Sequence, residues 1–364
     1  MRDVAELTRQ LVAFDSVNPG LAAAAGEAEI ARFVAGWAER AGLEIELQEA
    51  APGRPNVIVT ARGSGGGRSL MLNAHTDTVG TAGMAEPFAG RVEDGRLYGR
   101  GAYDMKASLA ASLLAAVRAR ELSLRGDVVV TAVTDEELAS VGTEAIVATR
   151  RADAAIVTEP TEERLAIAHK GFAGFRIETE GFAAHGSRPD LGIDAIARMG
   201  GVLVRLEELD GRLRAGASHA LLGTGSVHAS IVEGGQEYSS YPASCTLTGE
   251  RRTIPGESTT RVGEEVRALL GDVPGAAAVG LSRPPFEISA DDPFVQLVGH
   301  CAGRPEVVGV PYWADSGLLA EAGIPTVLYG PSGEGAHGEV EWVDVASVER
   351  CLELYVAVAR EWCA

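Results

Sequence analysis

The sequence predicts an α/β protein with a mixed, largely parallel central sheet flanked by helices, interrupted by a second, smaller α+β domain. Three observations carry this. Short apolar runs rich in Val, Ile or Leu recur between helical stretches: NVIVTA (56–61), SLMLNA (69–74), DVVVTAV (127–133), AAIVT (154–158) and PTVLYG (325–330). Runs that are apolar nearly throughout mark strands covered on both faces. Between the last two, residues 171–282 change rhythm to strand, helix, strand, strand, helix, strand, a split βαβ unit able to fold around its own core. Finally, 364 residues with 46% apolar and 23% charged content suffice for about two domains at ~100–200 residues each.

In chain order, the spacing of apolar residues predicts a helix over 3–15, a turn at Asn18-Pro19-Gly20, and an amphipathic helix over 27–41 ended by Gly42. A strand (LEIELQEA) follows. Gly63 to Gly67 predicts a hairpin turn between the runs 56–61 and 69–74; with no GK[ST] after it, this is no phosphate loop. Asp104 opens an Ala-rich apolar helix over 105–120. Within the insert, helices are expected at 192–209 and 258–270. The domains are therefore 1–170 and 284–364, two parts of one catalytic domain, around an insert at 171–283.

Composition excludes several functions. Fifty-one acidic against 32 basic residues give a net charge of -19, which repels polyanions, so neither nucleic acid nor an anionic membrane is an expected partner. The Ala-rich stretch near 107–117 falls far short of the ~20 residues that span a bilayer. The opening MRDVAELTRQ lacks the basic start and apolar stretch of a signal peptide, and Cys245, Cys301, Cys351 and Cys363 form no CxxC pair. A cytoplasmic protein with reduced cysteines is expected.

In open α/β sheets ligands gather at the carboxyl ends of strands. Here the residues after the apolar runs are His75-Thr76-Asp77, Thr134-Asp135-Glu136-Glu137 and Glu159-Pro160, and a Gly-rich loop leads to His337. Singly these have ordinary readings: Asp104 as a helix cap, Glu136 and Glu137 as a solvated helix start, Glu159 as a turn residue, either histidine as a hydrogen-bonded structural group. Together they place several carboxylates at one sheet edge, where they cannot all stay ionised without a cation. A pair of divalent metals supplies it. Imidazole with carboxylate suits Zn²⁺, with Co²⁺ or Mn²⁺ as alternatives, and Asp77, two residues beyond His75, is placed to hold the second imidazole nitrogen.

The set AHTD (74–77), GRGAYDMK (99–106), TDEE (134–137), TEPT (158–161), HKG (169–171), AAHGSRP (183–189), ERRTIPGE (250–257) and GAHGEVEWV (335–343) resembles the di-zinc amidohydrolase and metallopeptidase family of acetylornithine deacetylase, succinyl-diaminopimelate desuccinylase, aminoacylase and carboxypeptidase G. The resemblance implies a zinc-peptidase-like catalytic domain and a ferredoxin-like dimerisation or lid domain. It makes His75 and Glu159 ligands of one metal, Glu137 and His337 ligands of the other, Asp104 the shared carboxylate with a cis peptide to Met105, and Glu136 the general base, beside Asp77. His185 would polarise the scissile carbonyl and Arg252 would receive the substrate carboxylate, while Arg251 faces the other side of its strand. Ser239 stands where the family often has asparagine, which leaves substrate identity open. Lys106 and Lys170, the only lysines, fall in family motifs without an assigned role.

The implied activity is metal-dependent hydrolysis of a small N-acyl amino acid by a metal-activated water, in a homodimer. The alternatives are a dipeptidase or carboxypeptidase of the same family and a catalytically silent relative. No GxSxG elbow or motif cysteine supports covalent catalysis.

Overall fold

The computed structural model describes residues 3–81 and 83–364. The chain divides into two compact units. One runs through Ile167 and resumes at Ile288–Val308 and Ala314–Ala364; the other comprises Ala168–Glu287 and Gly309–Trp313. The expected insert, 171–283, thus falls in the second unit, which takes a few more residues at each end and a short segment from beyond.

The strands of the first unit, the last of which continues two residues beyond it, are ordered Glu44–Ala51, Arg54–Ala61, Val128–Val133, Leu70–His75, Ala154–Val157, Thr326–Leu328, Leu165–His169. The central four run parallel, and antiparallel strands flank them on both sides. Their residues are buried on both faces because helices cover the sheet. Ala107–Arg120 is Ala- and Leu-rich and buried around nearly its whole circumference; it packs with Val345–Trp362 in the main core. Val4–Val12 begins at Asp3, whose carboxylate accepts from the N–H groups of Ala5 and Glu6.

One expectation fails. The strands Arg54–Ala61 and Leu70–His75 do not form a hairpin, because Val128–Val133 lies between them, antiparallel to the first and parallel to the second. The glycines at 63–67 serve a different contact. Ser64 and Gly65 donate main-chain hydrogen bonds to Leu124 and Arg125, and a Cβ at Gly63 or Gly67 would collide with the backbone at 125–126. Glycine here permits close approach to the segment that feeds the intervening strand.

The second unit is an antiparallel sheet ordered Ser226–Gly234, Ser244–Thr253, Gly171–Glu180, Gly275–Arg283, with helices Ala195–Ala215 and Thr259–Leu270. Alternate residues of the inner strands, among them Phe175, Ile177 and Leu247, meet Val202 and Val266 of the helices in a separate core. A short hairpin of Ser218–His219 and Gly223–Thr224 follows the first helix.

Candidate metal centre

The four parallel strands end together, and their order brings together residues far apart in sequence. His75 is the last residue of its strand; Glu136 and Glu137 follow Val128–Val133, and Glu159 follows Ala154–Val157. Asp104 sits in a wide turn, Ala102–Lys106, with non-helical backbone angles and a cis peptide to Met105. It makes no capping bond, so the helix-cap reading is set aside. Nor do Glu136 and Glu137 start a helix, since the next one begins at Val141. His337 comes from the loop between the paired segments Gly333–Glu334 and Trp342–Asp344.

These residues form two groups that share Asp104. Donor atoms of His75, Asp104 and Glu159 lie within 4.8 Å of one another, as do those of Asp104, Glu137 and His337. His75 Nε2 is 3.0 Å from Asp104 Oδ1 and 3.7 Å from Glu159 Oε1; His337 Nε2 is 3.0 Å from Glu137 Oε2 and 3.4 Å from Asp104 Oδ2. His75 Nδ1–H donates to the main-chain oxygen of Asp77 at 2.9 Å. In the neutral ring that leaves an Nε2 lone pair aimed at carboxylate oxygens. Donor atoms facing donor atoms need a cation between them. Glu137 Oε1 adds to this, being buried without a hydrogen-bond partner. The residues therefore fit two divalent ions.

Without metal, protons take over that role. Burial opposes a charge on His75, but the hydrogen bond to Asp104 and the charges of Glu159 and Asp104 prevail and raise its pKa well above the ordinary value. Hydrogen bonds to Asp104 and Glu137 bring His337 up to about 10. Burial and the neighbouring Glu159, with Asp315 behind, push Glu136 well above the carboxylate range, and burial does the same to Glu159. Asp104 is also buried, yet hydrogen bonds from both histidines hold it low.

Asp77 does something the sequence did not show. Its carboxylate is 3.6 Å from His75 Nδ1, beyond hydrogen-bond reach, and instead accepts the main-chain N–H of Glu136 (Oδ1, 3.1 Å) and of Glu137 (Oδ2, 3.1 Å). It anchors the loop that carries both glutamates. Four further residues escaped sequence reasoning: Asn18, Arg54, Asp315 and Glu341. Glu341 is buried and accepts from the N–H groups of Gly101, Tyr103 and Asp104 and from Arg100 Nη1 (2.6 Å), while Arg100 Nη2 donates to the Gly338 oxygen. Asp315 accepts from Thr143 Oγ1 at 2.6 Å. The Asn-Pro turn and the Glu four residues beyond His337 were the available signals.

In the second unit, His185 is exposed, and its Nδ1 accepts the Ser187 N–H (3.2 Å), which places the proton of the neutral ring on Nε2. Arg252 lies over the Phe172 ring, and its Nε donates to Glu250 at 2.5 Å. Arg251 is buried and ion-paired with Glu257 and Glu265. Ser239 Oγ donates to Glu237 at 3.2 Å.

The model of Peptidase family M20/M25/M40 matches residues 71–361. The chain belongs to that family. M20-family relatives include an acetylornithine deacetylase of Myxococcus xanthus, 32% identical over 344 residues covering 89% of this chain and 90% of that one. Another, from Erwinia tasmaniensis, is 29% identical over 375 residues, covering 98% and 97%. Among solved structures, an M20 family metallo-carboxypeptidase from Sulfolobus solfataricus matches with TM-score 0.81 at 17% identity, covering 100% and 99%. A dinuclear metal-binding M20 peptidase from Bacillus subtilis matches with TM-score 0.72 at 18% identity, covering 99% and 97%. This M20 protein is accordingly a hydrolase, and no helix among its described residues is long and apolar enough to cross a membrane.

Proposed function

We propose that this M20 hydrolase cleaves the amide bond of a small N-acyl amino acid, as an acetylornithine deacetylase-like or desuccinylase-like deacylase. The observation that carries the reading is the pair of ligand groups sharing Asp104, with Glu136 beside them. His75 and Glu159 would hold one divalent ion, Glu137 and His337 the other, and Asp104 both; zinc suits this donor set. Two such ions acidify a water and polarise a carbonyl. Glu136, ionised once the site is loaded, accepts the proton of the attacking water and passes it to the departing amine nitrogen. His185 donates Nε2–H to the developing oxyanion. Arg252 receives the free carboxylate, a role for which its planar fork of donors is suited.

The same reading includes a cytoplasmic location, consistent with four free thiols, and a homodimer. Support for the dimer comes from the edge strand Ser226–Gly234, which exposes Ile231 and Val232 beside the exposed Ile196 and Val204 of Ala195–Ala215. An open apolar edge is a template for a second strand.

The deciding experiment is hydrolysis of N-acetylornithine, N-succinyl-diaminopimelate, N-acetylmethionine and a set of dipeptides by Zn²⁺- or Co²⁺-loaded protein and by chelated protein. Metal-dependent release of acetate or succinate supports the deacylase. Cleavage of dipeptides alone replaces it with the dipeptidase or carboxypeptidase reading, and two bound metals with no cleavage favour a silent relative or an untested substrate.

A further inference from the structure

Outside the ligand set, the polar group tied to most of the site's supports is Asn18. It is fully buried in the SVNPG turn and uses every hydrogen-bonding atom it has. Its main-chain N–H donates to the Thr78 oxygen at 2.8 Å, its Oδ1 accepts from Gly20 N–H at 2.9 Å, and its main-chain oxygen accepts from Leu21 and Ala22. Its single amide nitrogen reaches two carboxylates, Asp77 Oδ2 at 2.8 Å and Asp135 Oδ1 at 3.0 Å. Asp77 anchors the N–H groups of Glu136 and Glu137, and Asp135 is the residue immediately before them, held in the left-handed region at φ 70°. A cation already serves the same Asp135 oxygen: Arg54 Nη1 donates to Oδ1 at 2.6 Å, and Arg54 also pairs with the buried Glu27.

We propose that Asn18 is a positioning residue for the metal centre, its amide nitrogen clamping Asp77 and Asp135 so that Glu136 and Glu137 face the histidines in a fixed geometry. The chemistry requires a neutral group with two N–H bonds on one atom. A serine offers one donor, an aspartate offers none and adds a third carboxylate, and a lysine or arginine is longer than the fully buried Asn18 side chain it would replace. The same turn touches this loop a second time, where Gly20 lies against the side chain of Leu138, one residue beyond Glu137.

The proposal rests on the metal-hydrolase reading, and its test reads metal rather than turnover. Full-length wild-type, Asn18→Ser, Asn18→Asp and Asn18→Leu proteins are stripped of metal and titrated with Co²⁺, following the visible absorption of the bound ion, with uptake normalised to the folded fraction from circular dichroism. The expected result is that Asp and Leu weaken at least one cobalt equivalent by about tenfold or more and change its absorption bands, with Ser between them and wild type. Wild-type affinity and spectrum in the folded fraction of all three variants would overturn it, as would a loss of uptake that merely tracks unfolding. Wild-type protein that takes up no cobalt refutes both this and the metal-hydrolase reading; two bound cobalt ions without cleavage of any substrate refute the reaction alone.

Discussion

Glu341 accepts the main-chain N–H of Asp104 at 3.1 Å, although 237 residues separate them in sequence. Because Glu341 lies four residues beyond His337, one buried carboxylate ties the loop of Asp104 to the loop of His337. Replacing it with Ala would leave Arg100 charged and buried without its partner and three N–H groups unpaired. Such losses cost about 3–5 kcal/mol. Thermal unfolding of metal-free Glu341→Ala should show a marked drop, whereas Glu341→Gln, which retains an acceptor oxygen, should lose less.

Glu136→Gln should lower kcat by about 10²–10⁴-fold, the range over which a positioned acid–base group contributes. Metal content measured by atomic emission should stay at the wild-type level, because no ligand is changed. Activity equal to wild type would sink the proton-transfer role.

The two neighbouring arginines should separate cleanly. Arg251 is buried between Glu257 and Glu265, so Arg251→Met should destabilise the second unit, visible as a lower unfolding temperature. Arg252→Ala should instead raise KM for carboxylate-bearing substrates at least about tenfold with little change in stability, since charge-assisted hydrogen bonds are worth ~1.5–3 kcal/mol. A KM unchanged in Arg252→Ala would remove it from substrate binding.

Metal should stabilise the fold. Divalent ions that bind only the native state contribute about 2.7 kcal/mol at a concentration 100 times Kd, so the unfolding temperature should rise with added Zn²⁺ and fall on chelation. An unfolding temperature indifferent to both would argue against the centre.

Lys106 gives a pH dependence of opposite sense to that of a lysine paired with a carboxylate. Burial lowers its pKa to about 7, below the ordinary 10.5, and its Nζ donates to the Phe14 oxygen at 2.8 Å. Between these values the unfolded chain holds a proton that the native chain has released, so this residue's contribution to stability rises with pH from about 7 upward. Lys106→Met should flatten that rise in denaturant titrations of the metal-free protein between pH 7 and 10.

Three of the five candidate ligand residues, His75, Glu137 and Glu159, were legible in the sequence because they stand at or just past apolar runs whose strand ends converge on one edge of a parallel sheet; Asp104 and His337 stand in Gly-containing turns and were legible through their motifs. Their supports were not. Asn18, Arg54 and Glu341 act across separations of 59 to 241 residues in sequence or through paired charges, and no periodicity announces such partners. Asp77 was expected to hold the second imidazole nitrogen with its carboxylate, but its main-chain oxygen takes the His75 Nδ1–H bond instead. The glycines at 63–67 marked a turn, yet a turn does not specify which strand comes next in the sheet. Register between distant strands is set by packing that only the folded chain displays.

Four of the five proposed ligand residues precede the second unit in the sequence, whereas His337 comes some 180 residues after Glu159. At a synthesis rate of about 5–20 residues per second, the ribosome would release Glu159 roughly 9–36 s before His337. The nascent chain would therefore carry a complete first trio of donors, His75, Asp104 and Glu159, while the second still lacked its imidazole. Order of metal capture would then follow order of translation, with the second ion waiting for the closing tenth of the chain.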